Sequence, residues 1–345
     1  MKLSDVVLLD WGKRLCVLQD SLNPQVRRGC LIVFAADHGC ALPIEQGGEA
    51  CSAFPSVVTP SIAKALAHGS AAGSVLARTT GMEVQVVDVG IACDLDTPGL
   101  IRDKSMRGTS NFTAGPAMSM EQMDFALQAG MRAVDRAGDV QAIAVGELGI
   151  GNTTTAAAIV SAFSGSDPQK TCGKGTGLDA DGVARKVTIV RRALEANQVA
   201  LDAYKKILAQ AGQDPQELKR QALHVLAALG GLELAAIVGA IFRAREKKIA
   251  VLVDGFISSA AALAAVHADP DVSEAIFLAT RSAEVGHEIA IEALRARSTH
   301  TPPPPVLDMQ LALGEGTGAV LAYPILRGAA DIVREMISLE DAMKL

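Results

Sequence analysis

The sequence predicts a three-layer α/β fold, with a doubly wound, mostly parallel sheet and a smaller helical lobe made by the two chain ends. Three observations predict it. Short apolar runs recur along the 345 residues, and each ends in Gly, Asp or another polar residue. Longer helical patterns lie between them. Aromatic residues make up only 3% of the chain against 49% hydrophobic, so the core must be Ala, Val, Leu and Ile packed closely. Nearly continuous apolar runs mark strands buried on both faces, and strand–helix alternation marks parallel crossovers.

Taken in order, Leu31–Phe34 leads to Ala36-Asp37-His38-Gly39 and Val84–Val87 leads to Asp88-Val89-Gly90. Ala142–Val145 leads to Gly146-Glu147, Ile249–Val253 to Asp254-Gly255, and Ala275–Leu278 to Thr280-Arg281-Ser282. Helices are expected over 60–78, 119–136, 153–163, 181–196, 221–245, 258–267, 284–296 and 317–344. The layering is Rossmann-like. In such open sheets ligands bind beyond the carboxyl ends of the strands, where strand order reverses. Asp37, His38, Asp88, Glu147, Asp254 and Ser282 are therefore expected around one crevice, although a lone Asp at such a place also reads as a helix N-cap.

Residues 31–300 are read as a large nucleotide-binding domain. Residues 1–30 and 306–345 are read as the small lobe, set off by the stiff spacer Thr301-Pro302-Pro303-Pro304-Pro305. The charged stretch from Tyr204 to Gln221, with the turn signal Asp214-Pro215, reads as an attachment.

Lys+Arg number 32 against 38 Asp+Glu, a net charge of -6, which argues against a nucleic-acid or anionic-membrane surface. Any phosphate must be held locally by main-chain N–H groups and one or two lysines. The six cysteines form no Cys-x-x-Cys, and His38-Gly39-Cys40 with Cys51 matches no zinc spacing. No apolar stretch is long enough for a bilayer, and the N-terminus lacks an uninterrupted apolar core. A cytoplasmic protein with reduced thiols, no metal and no membrane partner is expected.

Three glycine-rich segments carry the chemistry. In Leu313-Gly314-Glu315-Gly316-Thr317-Gly318, a carboxylate sits among glycines. It reads as a general base aimed at a ligand that bare main chain can approach, or as a solvated Glu after a capping glycine. Gly146-Glu147-Leu148-Gly149-Ile150-Gly151-Asn152-Thr153 follows a strand and opens an Ala-rich helix. Its glycines bare the backbone, Asn152 and the threonines offer caps and hydroxyls, and the helix N-terminus attracts a phosphate. The spacing is neither that of a Walker loop nor Gly-x-Gly-x-x-Gly, which disfavours an NTPase and a nicotinamide-dependent oxidoreductase. In Gly173-Lys174-Gly175-Thr176-Gly177, Lys174 is a flexible cation among glycines. Lys174 or Lys186 on the following helix could supply a counter-charge, and Lys186 could equally lie on a solvated face. A phosphate-anchored ribose, a carboxylate base and no evident nucleophile suit displacement at a sugar carbon.

The segments GELGIGNTTTAA, GKGTGLDADGVARK, VLVDGFISSAAALAA, RSAEVGH and LALGEGTGAVLAYPIL resemble the nicotinate-nucleotide–dimethylbenzimidazole phosphoribosyltransferases of cobalamin lower-ligand synthesis. The resemblance runs in order from about Ala35 to Ile337. It implies transfer of phosphoribose from nicotinate mononucleotide to 5,6-dimethylbenzimidazole, or the same chemistry on a phenolic or purine acceptor, by a homodimer with no cofactor or metal. It implies that Glu315 is the base and that Glu147, Gly149 and Lys186 contact the nucleotide, to which Gly151, Asn152, Thr153, Lys174 and Gly175 are added on physical grounds. It also implies that Asp254 and Ser282 hold ribose or nicotinate, and that Ser52, Phe54, Leu148 and Leu313 line the acceptor pocket. The chain departs from the family pattern in carrying extra residues around Pro43–Gly48, Pro60-Ser61 after Val58-Thr59, and Val285 in place of a usual Pro.

Overall fold

A computed structural model describes residues 7–344 except 211, 213 and 338. In chain order its elements are α1 (Val7–Gln19), β1 (Gly29–Ala36), α2 (Val58–Ala67), α3 (Ala72–Thr80), β2 (Glu83–Gly90), β3 (Leu100–Arg102) and α4 (Met120–Arg136). There follow β4 (Ala142–Leu148), α5 (Asn152–Ser164), α6 (Pro168–Thr171), α7 (Ala180–Ala196), α8 (Gln198–Leu208), α9 (Pro215–Leu229) and α10 (Leu232–Glu246). The chain continues with β5 (Ala250–Val253), α11 (Phe256–Ala268), β6 (Ile276–Leu278), β7 (Thr280–Ser282), α12 (His287–Arg297), β8 (Leu307–Leu311), α13 (Thr317–Glu335) and α14 (Leu339–Ala342).

β1 to β6 form one parallel sheet in the order β3-β2-β1-β4-β5-β6. The order reverses between β1 and β4, as a doubly wound sheet requires. Both strands are buried almost along their whole length. β7 and β8 pair in parallel as a separate two-stranded ribbon, which brings Ser282 opposite Leu311.

Side-chain parity separates the two faces. Gly29, Leu31 and Gly146 share the face of α13, since a Cβ at Gly29 would meet the Tyr323 ring and one at Gly146 would meet Glu315. Ala36 and Gly90 share the other face, where Leu232 at the start of α10 packs. α10 crosses β1, β2, β4 and β5 on that face, with α4 and α11 beside it. α13 lies on β4 and β5 between α1 and α3, so the two chain ends meet as the third layer of the molecule.

The five expected strands are all present. Four differences have local causes. β3 is only three residues and half-exposed, below what an apolar run can signal. The helix expected over 60–78 is two, α2 and α3, because the chain turns at Gly69 with φ +75. The helix expected over 221–245 is also two. α9 begins at Asp214, whose carboxylate caps Gln216 N, and ends at Gly230, where the chain turns extended before α10. The stretch from Tyr204 to Gln221 thus joins two packed helices, α8 and α9, rather than forming an appendage. The helices expected over 317–344 are α13 and α14, and position 338 between them lies outside the described residues.

Candidate active site

The cavity of ≈ 370 Å³ lies at the carboxyl ends of β4 and β5, under the β8–α13 connection. Its walls are Glu147 to Ile150 with Asn152 and Thr153, then Asp254 to Ile257, then Thr280 and Ser282 to Glu284. Leu311 to Glu315 with Thr317 form the roof, Gly175 and Thr176 one end, and Phe54, Val58 and Ile62 the other.

Glu315 reaches this roof through a left-handed turn. Gly314, Glu315 and Gly316 have φ +67, +60 and +77. A side chain at Glu315 in that region is strained, and the flanking glycines carry the rest of the turn without strain. The turn also lies on bare backbone. A Cβ at Gly146 would fall 2.6 Å from the Glu315 carbonyl oxygen, and one at Gly73 2.7 Å from it. Gly73, in the first turn of α3, donates its N–H to Glu315 Oε2 at 2.8 Å. Burial pushes the Glu315 carboxyl above the usual range, and the Gly73 N–H opposes it. Half-exposed Glu315 thus presents a carboxylate to the cavity from the N-terminal end of a helix.

Three more carboxylates line the cavity, and each differs from Glu315. Glu147 is buried, accepts a short hydrogen bond from Asn152 Nδ2, and is pushed up to about 8 by burial and then by the charges of Asp254, Glu233 and Glu315. Asp254 is raised by burial to about 6 but is held by main-chain N–H groups around the start of α13, with Oδ1 accepting from Ala319 N at 3.0 Å. Glu284 Oε1 accepts from Gly175 N at 2.8 Å. Glu315 differs from Glu147 and Asp254 in lying half-exposed, and from all three in its place on the roof, with Oε2 held by the Gly73 N–H.

The loop expected to cradle a phosphate runs from β4 into α5. Gly151, at φ +100, is the N-cap of α5, and no side chain caps the helix. Asn152 therefore does not cap α5 as expected; its amide is spent on Glu147. Gly149 approaches the Ala36 carbonyl so closely that a Cβ would fall 2.2 Å from it. Ile150 N donates to Thr59 Oγ1 at 3.2 Å, tying this loop to α2. Lys186 is 1% exposed and stands behind the wall, donating to Thr153 Oγ1 at 2.8 Å and to the Gly173 carbonyl at 3.3 Å. Burial lowers its pKa, opposed by nearby Glu284. Lys174 is exposed and lies outside the cavity lining.

Ser282 lines the cavity and is held by His287, whose Nδ1 accepts from Ser282 N at 2.8 Å. Its Nε2 must then carry the proton, which it gives to Ser259 Oγ at 3.0 Å. Burial pulls His287 down to about 4, so the neutral tautomer persists. At the other end Phe54, Leu148 and Leu313 line the cavity, while Ser52 stands behind Phe54 and accepts its N–H at 3.3 Å.

Asp37, His38 and Asp88 do not join the crevice, contrary to expectation. Asp37 accepts from Ala92 N, Asp88 closes the turn at Gly90 and Ile91 and pairs with Lys104, and His38 lies between Glu233 and Thr155. Buried polar groups near strand ends need partners, and these three found them inside the protein. Sequence reasoning missed Gly73, Val58, Ile62 and Glu284. Glu284 sits inside the RSAEVGH segment; Gly73 carries no local signal.

The model of the family described as phosphoribosyltransferase matches residues 7–343. The nicotinate-nucleotide–dimethylbenzimidazole phosphoribosyltransferase of Geotalea uraniireducens is 38% identical over 338 residues, 97% of this chain and 87% of that protein. The protein of the same name from Geobacter metallireducens is 39% identical over 338 residues, with the same coverage. The crystal structure of such an enzyme from Thermus thermophilus superposes with a TM-score of 0.82 at 37% identity, covering 97% of this chain and 91% of that one. A structure of CobT from the same organism has a TM-score of 0.84 at 37% identity, covering 99% and 94%. The chain belongs to the nicotinate-nucleotide–dimethylbenzimidazole phosphoribosyltransferase family.

Proposed function

We infer that this member of the family transfers the 5-phosphoribosyl group of nicotinate mononucleotide to 5,6-dimethylbenzimidazole, releasing nicotinate and α-ribazole 5′-phosphate for the nucleotide loop of cobalamin. The observation that carries the reading is the placement of one carboxylate, Glu315, in the same cavity as the N-terminus of α5, which no side chain caps.

The phosphate goes to the α5 end, where Gly149, Gly151 and Thr153 expose main chain and Lys186 adds positive charge through Thr153. Asp254 and Ser282 face the ribose and the nicotinate, and the carboxylates around them favour the cationic pyridinium ring of the bound nucleotide. The acceptor enters between Phe54, Leu148 and Leu313, with Ser52 bracing Phe54. Glu315 takes the ring N–H proton of the acceptor, and the acceptor's other ring nitrogen attacks C1′. The new C–N bond forms as the bond to nicotinate breaks on the opposite face. Nicotinate leaves as a neutral ring, and one displacement turns the β-glycoside into the α-glycoside.

In this division of labour, residues 31–300 hold the nucleotide and residues 1–30 with 306–345 bring the base. We read the enzyme as a cytoplasmic homodimer, in keeping with its family; sedimentation of the purified protein tests the dimer. Among the described residues, no helix is long and apolar enough to cross a membrane.

Incubation with nicotinate mononucleotide and a panel of benzimidazoles, phenols and purines tests the activity. Nicotinate release should depend on a benzimidazole. Release with only a phenol or a purine would assign the alternative acceptor class, and binding of the nucleotide without release in any arm would overturn the transfer.

A further inference from the structure

The extra residues around Pro43–Gly48 build a loop that closes on its own start. Glu49 N donates to the Cys40 carbonyl at 3.0 Å, Ala50 N to the Leu42 carbonyl at 3.0 Å, and Gly48 N to the Pro43 carbonyl at 3.0 Å. Gly48 packs so tightly that a Cβ would fall 2.0 Å from the Leu42 carbonyl oxygen. Ala50 is held at φ 49, a strained value for a residue with a Cβ. The effect of this closure is to bring Cys40 and Cys51 together, both buried, with their sulfurs 3.6 Å apart. Nothing in the transfer reaction uses either thiol.

We propose that Cys40 and Cys51 are a redox pair that closes to a reversible disulfide and thereby regulates the acceptor end of the active site. A disulfide needs the sulfurs about 2.05 Å apart, so closure asks for a shift of roughly 1.5 Å. That shift falls on a 3₁₀ turn and a loop rather than on a helix or strand. The two thiols are unequal. Contact with Cys40 draws the Cys51 thiol down, against burial, and Thr154, His38 and Lys186 add to it, whereas the same contact and burial push Cys40 up. Cys51 is thus the attacking thiolate. By contrast, burial pushes Cys30 up to about 12 and Cys172 up to about 11.

With a peroxide as oxidant, the Cys51 thiolate attacks one peroxide oxygen. The S–O bond forms, the O–O bond breaks and one water departs. Cys40 then attacks the sulfenic sulfur and gives up its proton, and a second water leaves. Two thiols lose two electrons and one peroxide becomes two waters; a dithiol reductant reverses the change. Cys51 lies against the phosphate loop, 3.6 Å from where a Cβ on Gly151 would stand, and Phe54 at the cavity mouth follows three residues later. Drawing Cys51 toward Cys40 therefore displaces the acceptor wall; this kinetic consequence rests on the acceptor reading above.

The test treats the full-length enzyme with hydrogen peroxide and maps its thiols by mass spectrometry without reduction. The expected result is a crosslinked peptide joining Cys40 and Cys51, lighter by about 2 Da and restored by dithiothreitol. The KM for the benzimidazole should rise several-fold on oxidation. Cys40→Ser should keep reduced-state turnover and lose the response, and Cys51→Ala gives a second, independent loss of it. Oxidation of exposed Cys93 without a Cys40–Cys51 crosslink would overturn the pair, and a crosslink that leaves the acceptor KM unchanged would overturn the regulation. The crosslink is read without turnover, so its failure is distinct from failure of the assigned reaction.

Discussion

Two seams of this molecule are built on glycine, and they serve opposite ends. Between α4 and α10, Gly130 and Gly239 let two helices touch backbone to backbone: added Cβ atoms would stand 1.8 Å from the Ala236 carbonyl oxygen and 1.9 Å from that of Leu127. Under the β8–α13 connection, Gly73 and Gly146 let the turn at Glu315 approach α3 and β4 in the same way. The first seam lies among buried apolar residues and holds a layer in place. The second holds the carboxylate of Glu315 at the cavity roof. One physical device, removal of a Cβ so that main chains can meet, contributes stability in one place and positioning in the other.

The comparison can be tested from either side. The largest expected effect is on Glu315: Glu315→Gln should fold and bind nicotinate mononucleotide, yet lose on the order of 100-fold or more in kcat in a nicotinate-release assay. Wild-type turnover would remove Glu315 from the role of base. Next, Gly239→Ala should lower stability by roughly 2–3 kcal/mol, read by denaturant unfolding, with kcat per folded molecule unchanged. A third variant crosses the two cases. Gly73→Ala should reduce kcat/KM by roughly 10-fold. Because it displaces the N–H that opposes burial at Glu315, it should also move the acidic limb of the pH–rate profile further up. A fall in melting temperature with an unchanged pH profile would make Gly73 a packing residue like Gly239.

A fourth test concerns Glu147, whose carboxyl is raised to about 8 in the folded protein. A raised folded pKa favours the folded state while the group is protonated, and this contribution fades as pH rises from the ordinary glutamate range through about 8. Glu147→Gln keeps an acceptor for Asn152 and never ionises. Its melting temperature relative to wild type should therefore climb across that window, and a flat difference would show that Glu147 is already ionised at neutral pH.

Much of this was legible in the chain. Glu315 and Glu147 stand out because glycines crowd around them, and glycine clusters are local features of a sequence. The five expected strands were legible because burial on both faces leaves a continuous apolar run. Gly73 was not, because its partner lies 242 residues away and its own helix shows no motif. Asp37, His38 and Asp88 looked like site residues because strand ends look alike in one dimension, and only their neighbours in space distinguish a caged carboxylate from a free one.

Local pattern thus dictated the layers, the glycine-rich turns and the family, since periodicity and backbone freedom act over a few residues. That burial raises Glu147 and Asp254, and that Lys186 stands behind Thr153, emerged only on folding. Charge and hydration at a site are set by groups distant in sequence that become neighbours when the sheet and its two helical layers close.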